Sequence, residues 1–258
     1  MRSALTLEVR YYRNYATADG PAGRVTKRLT LDPSATALLL VDVYNGIQDD
    51  EDIEDLSGTL GDLWRQTVRR IAIALGAARD CGLPVVYAIN SAPRIALERS
   101  EFGRHFQRSW GRDFNHAFRE GGVDPREYHG GRPTPLTFPA ELEPRPGDYY
   151  IRKHVYSAFF DTRLDTLLRN LGINTLVAAG FWADICMLAT ALDAFYRNYR
   201  VIWLRDGTLG GNRDEGPKAA LQATDWTIRL FENAIGYTAT TEDFAAACRA
   251  LRGEEASR

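Results

Sequence analysis

The 258-residue chain balances 32 Lys and Arg against 34 Asp and Glu, a net charge of −2, which speaks against a nucleic-acid or polyanion surface and for small neutral or weakly charged substrates. Its three cysteines, Cys81, Cys186 and Cys248, are widely spaced and form no Cys-x-x-Cys, so neither a disulfide framework nor a zinc cluster is indicated, and a reducing, cytoplasmic compartment is expected. No apolar stretch is long enough to span a bilayer, and the length suits one α/β domain with a substantial core.

Residues 1–30 read as an N-terminal extension in which residues 5–12 alternate like a strand, either pairing with another subunit or forming an edge of the same sheet. The continuous apolar run Ala37-Leu38-Leu39-Leu40-Val41, closed by Asp42, is how a fully buried parallel strand (36–42) presents a carboxylate at its C-terminal end. Asp42 is therefore a candidate base. Leu60, Trp64, Thr67, Val68, Ile71 and Leu75 then fall on one stripe of an amphipathic helix, with Trp64 in the core. A second strand is expected at 84–89.

Residues 92–146 break the pattern with Arg94, Arg99, Arg104, Arg108, Arg112 and three of the four histidines, then the loop-like Gly130-Gly131-Arg132-Pro133. This insertion reads as a lid or a subunit contact. The strand 149–153 ends at Lys153, a candidate cation, and alternation turns the following His154 away from it. Leu164, Leu167, Leu168 and Leu171 make the next helical stripe, with Gly172 as its stop.

Strand 175–179 runs through Gly180 into Phe181-Trp182-Ala183-Asp184-Ile185-Cys186, where a helix begins. A thiol near a helix N-terminus is favoured as a thiolate and is a candidate nucleophile; a small buried residue would read the same way. Asp193, about two turns on, is expected to cap or to pair with Arg205. Strands at 200–204 and 236–240 complete an alternation of strands and helices that predicts a three-layer α/β/α domain with a six-stranded, mainly parallel, Rossmann-like sheet. That domain would span residues 31–245, followed by a tail at 246–258. Residues 207–212 match no nucleotide-binding loop.

An acid, a lysine and a cysteine, each at the end of its own strand, converge where ligands bind in open α/β sheets. Leu39-Leu40-Val41-Asp42-Val43-Tyr44-Asn45, Lys153-His154-Val155-Tyr156-Ser157-Ala158-Phe159, residues 180–186 with Ala191-Leu192-Asp193-Ala194, and residues 201–206 occur in that order. Together they resemble the isochorismatase-like cysteine hydrolase family over about residues 31–241. The resemblance implies a triad of Asp42, Lys153 and Cys186. It also implies a cis peptide between Phe181 and Trp182, and backbone N–H groups of residues 182–186 directed at an oxyanion.

The implied activity is cleavage of a C–N bond in a small amide, ureido or carbamoyl compound, or lactam, through a thioester acyl-enzyme, in a homodimer or homotetramer. Tyr44, Asn45, Tyr156, Phe159 and Trp182 are the candidate substrate-binding residues. Two alternatives stay open: a vinyl-ether hydrolase using Asp42 as general acid without a covalent intermediate, and a catalytically idle binding or scaffold member.

Tyr44 stands where many members have Gln, Ala183 where many have Thr or Ser, and bulky Trp182 where small residues are usual, so the pocket beside the thiol is expected to be reshaped. Zinc-holding members use histidines shortly after the base, whereas here Asp49-Asp50-Glu51-Asp52 has none nearby. No metal or cofactor is expected, and nicotinamide is disfavoured as substrate.

Overall fold

The computed structural model describes residues 4–45, 58–90, 101–110, 136–211 and 216–256. All six expected strands are present, as β3 (Thr36–Val41), β4 (Val85–Asn90), β5 (Tyr149–Lys153), β6 (Thr175–Phe181), β7 (Arg200–Leu209) and β8 (Tyr237–Ala239). Among these six every pairing is parallel. The expectation of six strands is nevertheless corrected to eight, because β1 (Leu5–Arg13) and β2 (Gly23–Leu31) form an antiparallel hairpin whose β1 pairs antiparallel with β8 of the same chain. The sheet order is β2-β1-β8-β7-β6-β3-β4-β5.

The hairpin was half legible. In β1, Leu5, Leu7 and Val9 are buried and alternate with more exposed residues, whereas in β2 the alternation of Val25, Leu29 and Leu31 is broken by Lys27 and only Leu31 is fully buried. A single carboxylate clips the hairpin down. Glu232, buried, pairs with Arg10 of β1 at 2.6 Å and Arg24 of β2 at 3.1 Å, and accepts the Thr238 hydroxyl at 2.6 Å.

Among the described residues the α-helices are α1 (Gly58–Asp80), α2 (Glu101–Trp110), α3 (Leu164–Asn170), α4 (Leu188–Tyr196), α5 (Pro217–Ala234) and α6 (Thr241–Ala256). Strand alternation assigns the faces. Leu38 and Leu40 of β3 pack with Trp64, Val68, Ile71 and Leu75 of α1 and with Phe244 and Leu251 of α6. Ala37, Leu39 and Val41 pack with Leu164 and Leu168 of α3, Ala191 and Ala194 of α4, and Ile228 and Phe231 of α5. Both faces of β3 are thus buried, which its unbroken apolar run requires. Gly172 follows α3 at φ +72°, the left-handed stop expected there. Among the described residues no helix is long and apolar enough to cross a membrane.

From β3 the chain moves one way to β4 and β5, then returns to the other side of β3 for β6 and β7. The order of strands therefore reverses between β3 and β6, and the crevice at such a switch point, outside the C-terminal strand ends, is where open α/β sheets bind ligands. Much of the insertion at 92–146 lies outside the described residues, as does the acidic run at 49–52. Of the insertion, α2 and residues 136–146 are described.

Candidate active site

Asp42 follows β3 directly, held at φ +51° with its N–H bonded to the Ala88 carbonyl at 2.8 Å. Lys153 closes β5, two strands away, and its side chain reaches across the end of β4. Its Nζ lies 2.7 Å from Asp42 Oδ2, donates to Asn90 Oδ1 at 2.6 Å and to the Val155 carbonyl at 3.4 Å, and stands 3.5 Å from Cys186 Sγ. Lys153 is 0% exposed, Cys186 6% and Asp42 7%, so the three groups meet almost out of contact with water.

Cys186 sits in a single wide turn, Ala183–Met187, that joins β6 to α4, with the Ile185 and Met187 N–H groups both bonded to the Trp182 carbonyl at 3.1 Å. Such π turns inside helices recur at functional sites. The Phe181–Trp182 peptide is cis. At Gly180, φ is +134°, and an added Cβ would fall on the Val41 carbonyl oxygen and lie 2.8 Å from Val41 N and C. Only glycine lets β6 approach β3 this closely, and the approach brings the Cys186 turn beside Asp42. Asp184 accepts the Gly211 N–H at 2.8 Å, tying the stretch after β7 to the same turn.

Burial governs the protonation states. It raises the Asp42 carboxyl above its ordinary value, against the opposing pull of the Lys153 ammonium. Burial alone would lower the Lys153 pKa, but Asp42 and Cys186 more than reverse this and it rises. Contrary to the thiolate expected at a helix start, burial and then the Asp42 charge push the Cys186 thiol well above its ordinary range, and Lys153 offsets only part of the rise. Burial thus favours a neutral Cys186 thiol beside the Asp42–Lys153 pair, whose Nζ–Oδ2 distance is 2.7 Å. The Asp42 carboxylate takes the Lys153 ammonium on Oδ2 at 2.7 Å and is also hydrogen-bonded by the Cys186 thiol and the Asn90 N–H, so the thiol proton already points at the group that would receive it.

The other candidates separate. Tyr156 is half-buried at the thiol, and burial together with Cys186 raises its phenol. The Tyr44 hydroxyl accepts from Asn90 Nδ2 at 2.7 Å, and the Asn45 N–H bonds the Thr137 carbonyl at 2.7 Å. Trp182 is partly buried, its ring edge-on to Phe181 at 5.3 Å. Phe159 is buried against Tyr199 at 5.6 Å and under the Arg197 guanidinium at 5.3 Å.

Asp193 does not pair with Arg205; it binds Arg197 at 2.9 Å and Ser157 at 2.5 Å, because its face of α4 turns toward the loop after β5. His154 meets Asp161 at 3.4 Å. Asn90, which links Tyr44 to Lys153, was missed from sequence. Its signal was the one that marked Asp42 and Lys153, a polar residue closing an apolar strand. Among the described residues no group of three or more His, Cys, Asp or Glu side chains is placed to hold a metal ion.

Residues 36–243 match the model of the Isochorismatase domain. The chain is 30% identical over 237 residues to the ureidoacrylate amidohydrolase RutB of Rhizobium rhizogenes, covering 84% of this chain and 85% of that protein. It is 31% identical to the N-carbamoylsarcosine amidase of Thermoplasma acidophilum, whose crystal structure superposes with a TM-score of 0.53 over 80% of this chain and 96% of that one. A cysteine hydrolase from Pseudomonas syringae pv. phaseolicola, 22% identical, shares the fold with a TM-score of 0.64 over 86% of this chain and 95% of its own.

Proposed function

The chain belongs to the isochorismatase family and is a cysteine amidohydrolase acting on non-peptide C–N bonds, and we propose that Asp42, Lys153 and Cys186 are the residues that carry the reaction. The observation that supports this is the position of Lys153 Nζ, 2.7 Å from the carboxylate and 3.5 Å from the sulfur in a buried site.

Because the thiol rests protonated, attack and deprotonation are coupled. Cys186 Sγ bonds to the substrate carbonyl carbon as its proton passes to Asp42, and Lys153 remains cationic to balance the negative charge on sulfur as it develops. Backbone N–H groups among residues 182–186, other than that of Ile185, which the Trp182 carbonyl already holds, receive the oxyanion, a contribution of roughly 3 kcal/mol per donor in other enzymes. Asp42 returns the proton to the departing amine or ammonia, leaving an S-acyl enzyme. Water, deprotonated by the same carboxylate, then attacks the thioester carbonyl, and the sulfur leaves as the thiol.

The substrate we propose is a small ureido or N-carbamoyl compound. Two relatives at 30% and 31% identity are named for ureidoacrylate and N-carbamoylsarcosine, and both names contain that group. Tyr156 and Trp182 would wall the pocket, with Tyr44, Asn45 and Phe159 behind or beside them. The free state of all three cysteines supports a reducing, cytoplasmic setting, and a dimer or tetramer belongs to the same proposal.

The test is ammonia release from a panel of ureides, N-carbamoyl amino acids, amides and lactams, with wild type and Cys186→Ala side by side. Release from the ureido members that is lost in the variant supports the reading. Turnover that survives the substitution overturns the covalent scheme, and release confined to simple amides overturns the substrate class.

A further inference from the structure

Cys186, Thr190, Asp193 and Arg197 are spaced by four, three and four residues, which places them along one face of the turn before α4, α4 itself and the residue that caps its end. The last three all grip a single short stretch of chain. Thr190 Oγ1 accepts the Ala158 N–H at 3.0 Å. Asp193 Oδ2 accepts the Ser157 hydroxyl at 2.5 Å, and Ser157 Oγ accepts the Phe159 N–H at 3.1 Å. Arg197 donates to Asp193 Oδ1 at 2.9 Å and lies over the Phe159 ring at 5.3 Å.

The gripped residues, 157–159, begin four positions after Lys153 and directly follow Tyr156. The loop between is short, and Lys153 Nζ also donates to the Val155 carbonyl within it. The helix that starts from the nucleophile therefore holds the far end of the loop that starts from the lysine. Ser157 and Thr190 are buried at 7% and 3% exposure, so the hydroxyl of one and the acceptor oxygen of the other have no ready substitute in water.

We infer that Asp193 is a positioning residue for the hydrolysis, acting through Ser157 to fix the 154–159 loop so that the Lys153 ammonium stays between Asp42 and Cys186 and Tyr156 stays beside the sulfur. The inference rests on the triad reading above. Asp193 touches no reacting atom. Its carboxylate serves two donors at once, Ser157 on one oxygen and Arg197 on the other, which an alanine abolishes and an asparagine retains only in part.

The experiment compares Asp193→Ala, Asp193→Asn and Ser157→Ala with Asp225→Ala, which breaks an exposed ion pair with Arg229 on α5 away from this loop. Three quantities are read on the folded fraction defined by urea unfolding: kcat with KM, the pH dependence of kcat/KM, and the rate of Cys186 alkylation, followed on its own peptide by mass spectrometry. Asp193→Ala and Ser157→Ala are expected to lose about 10- to 100-fold in kcat, the scale of an ångström of misplacement, with a shifted pH profile and a changed alkylation rate. Asp193→Asn should recover part of the loss and Asp225→Ala should match wild type.

A folded Asp193→Ala protein with wild-type kcat, pH profile and alkylation rate overturns the inference, as does a loss confined to stability. Alkylation needs no substrate, so it judges the clamp even if Cys186→Ala shows the proposed function to be wrong.

Discussion

Replacing Gly180 with alanine tests whether the site is built by the close approach of β6 to β3. The new Cβ would fall on the Val41 carbonyl oxygen and 2.8 Å from both Val41 N and Val41 C. All three are backbone atoms, so no rotamer change relieves the clash and the strands must part by more than an ångström. Overpacking of this kind costs about 1–3 kcal/mol, and holding alanine in a backbone region that suits only glycine costs about 1–3 kcal/mol more.

A combined loss of about 4 kcal/mol is roughly a thousandfold in the folded-to-unfolded ratio. With a denaturant slope of about 3 kcal/mol per molar it lowers the urea midpoint by about 1.3 M. Because Val41 precedes Asp42 and Gly180 leads to the Cys186 turn, the separation also parts the proposed base from the proposed nucleophile, and the folded fraction should lose on the order of 100-fold in kcat. Urea unfolding followed by fluorescence, with turnover measured on the same preparations, checks both numbers. A Gly180→Ala protein with the wild-type midpoint and wild-type kcat would refute the argument that this contact positions the site.

Glu232→Ala should destabilise the protein by about 2–3 kcal/mol, below the usual range for a broken buried ion pair because Arg10 and Arg24 are partly exposed and can rehydrate; a midpoint unchanged in urea would show that the hairpin is held by its apolar contacts alone. In the proposed mechanism Asp42 must be ionised to take the thiol proton, and burial raises its pKa from the ordinary 3.8. Activity should therefore fall on the acid side as pH drops through a value above 3.8, with Asp42→Asn inactive throughout, and a kcat/KM profile whose acid limb lies at or below the ordinary value would contradict this. A hydrogen bond from Cys248 lowers the pKa of the half-buried Cys81 thiol, whereas Cys186 and Cys248 are buried with raised pKa values. Limited alkylation of the free protein should accordingly modify Cys81 first, and peptide mapping that finds Cys186 labelled ahead of it would show Cys186 resting as a thiolate.

What could be read from sequence was what burial writes into composition. Strands buried on both faces must be continuously apolar, so β3, β4 and β6 stood out, and the polar residues that close β3 and β5 marked Asp42 and Lys153. Asn90 closes β4 by the same rule, but an amide carries less evident chemistry than a carboxylate or an ammonium and went unremarked. The π turn, the closeness of Gly180 to Val41 and the partner of Asp193 depend on where two distant segments meet, and local periodicity holds no trace of that. Nor could it show that burial would keep the Cys186 thiol protonated, since helix position argues the opposite.

The Glu232 clip has a consequence for synthesis on the ribosome. The hairpin of β1 and β2 is complete early, yet the carboxylate that receives its two arginines lies 222 residues beyond Arg10, and β8, the strand it joins, follows that. At about 5–20 residues per second the ribosome takes roughly 10–45 s to reach it. Throughout that interval the nascent hairpin has no place in the sheet, and an unpaired strand edge invites wrong pairings. Arg24, Lys27 and Arg28 of β2 charge the outer edge of the hairpin and discourage such pairings there, and two of them are drawn in when α5 and β8 arrive, Arg24 to Glu232 and Lys27 to the Tyr237 ring.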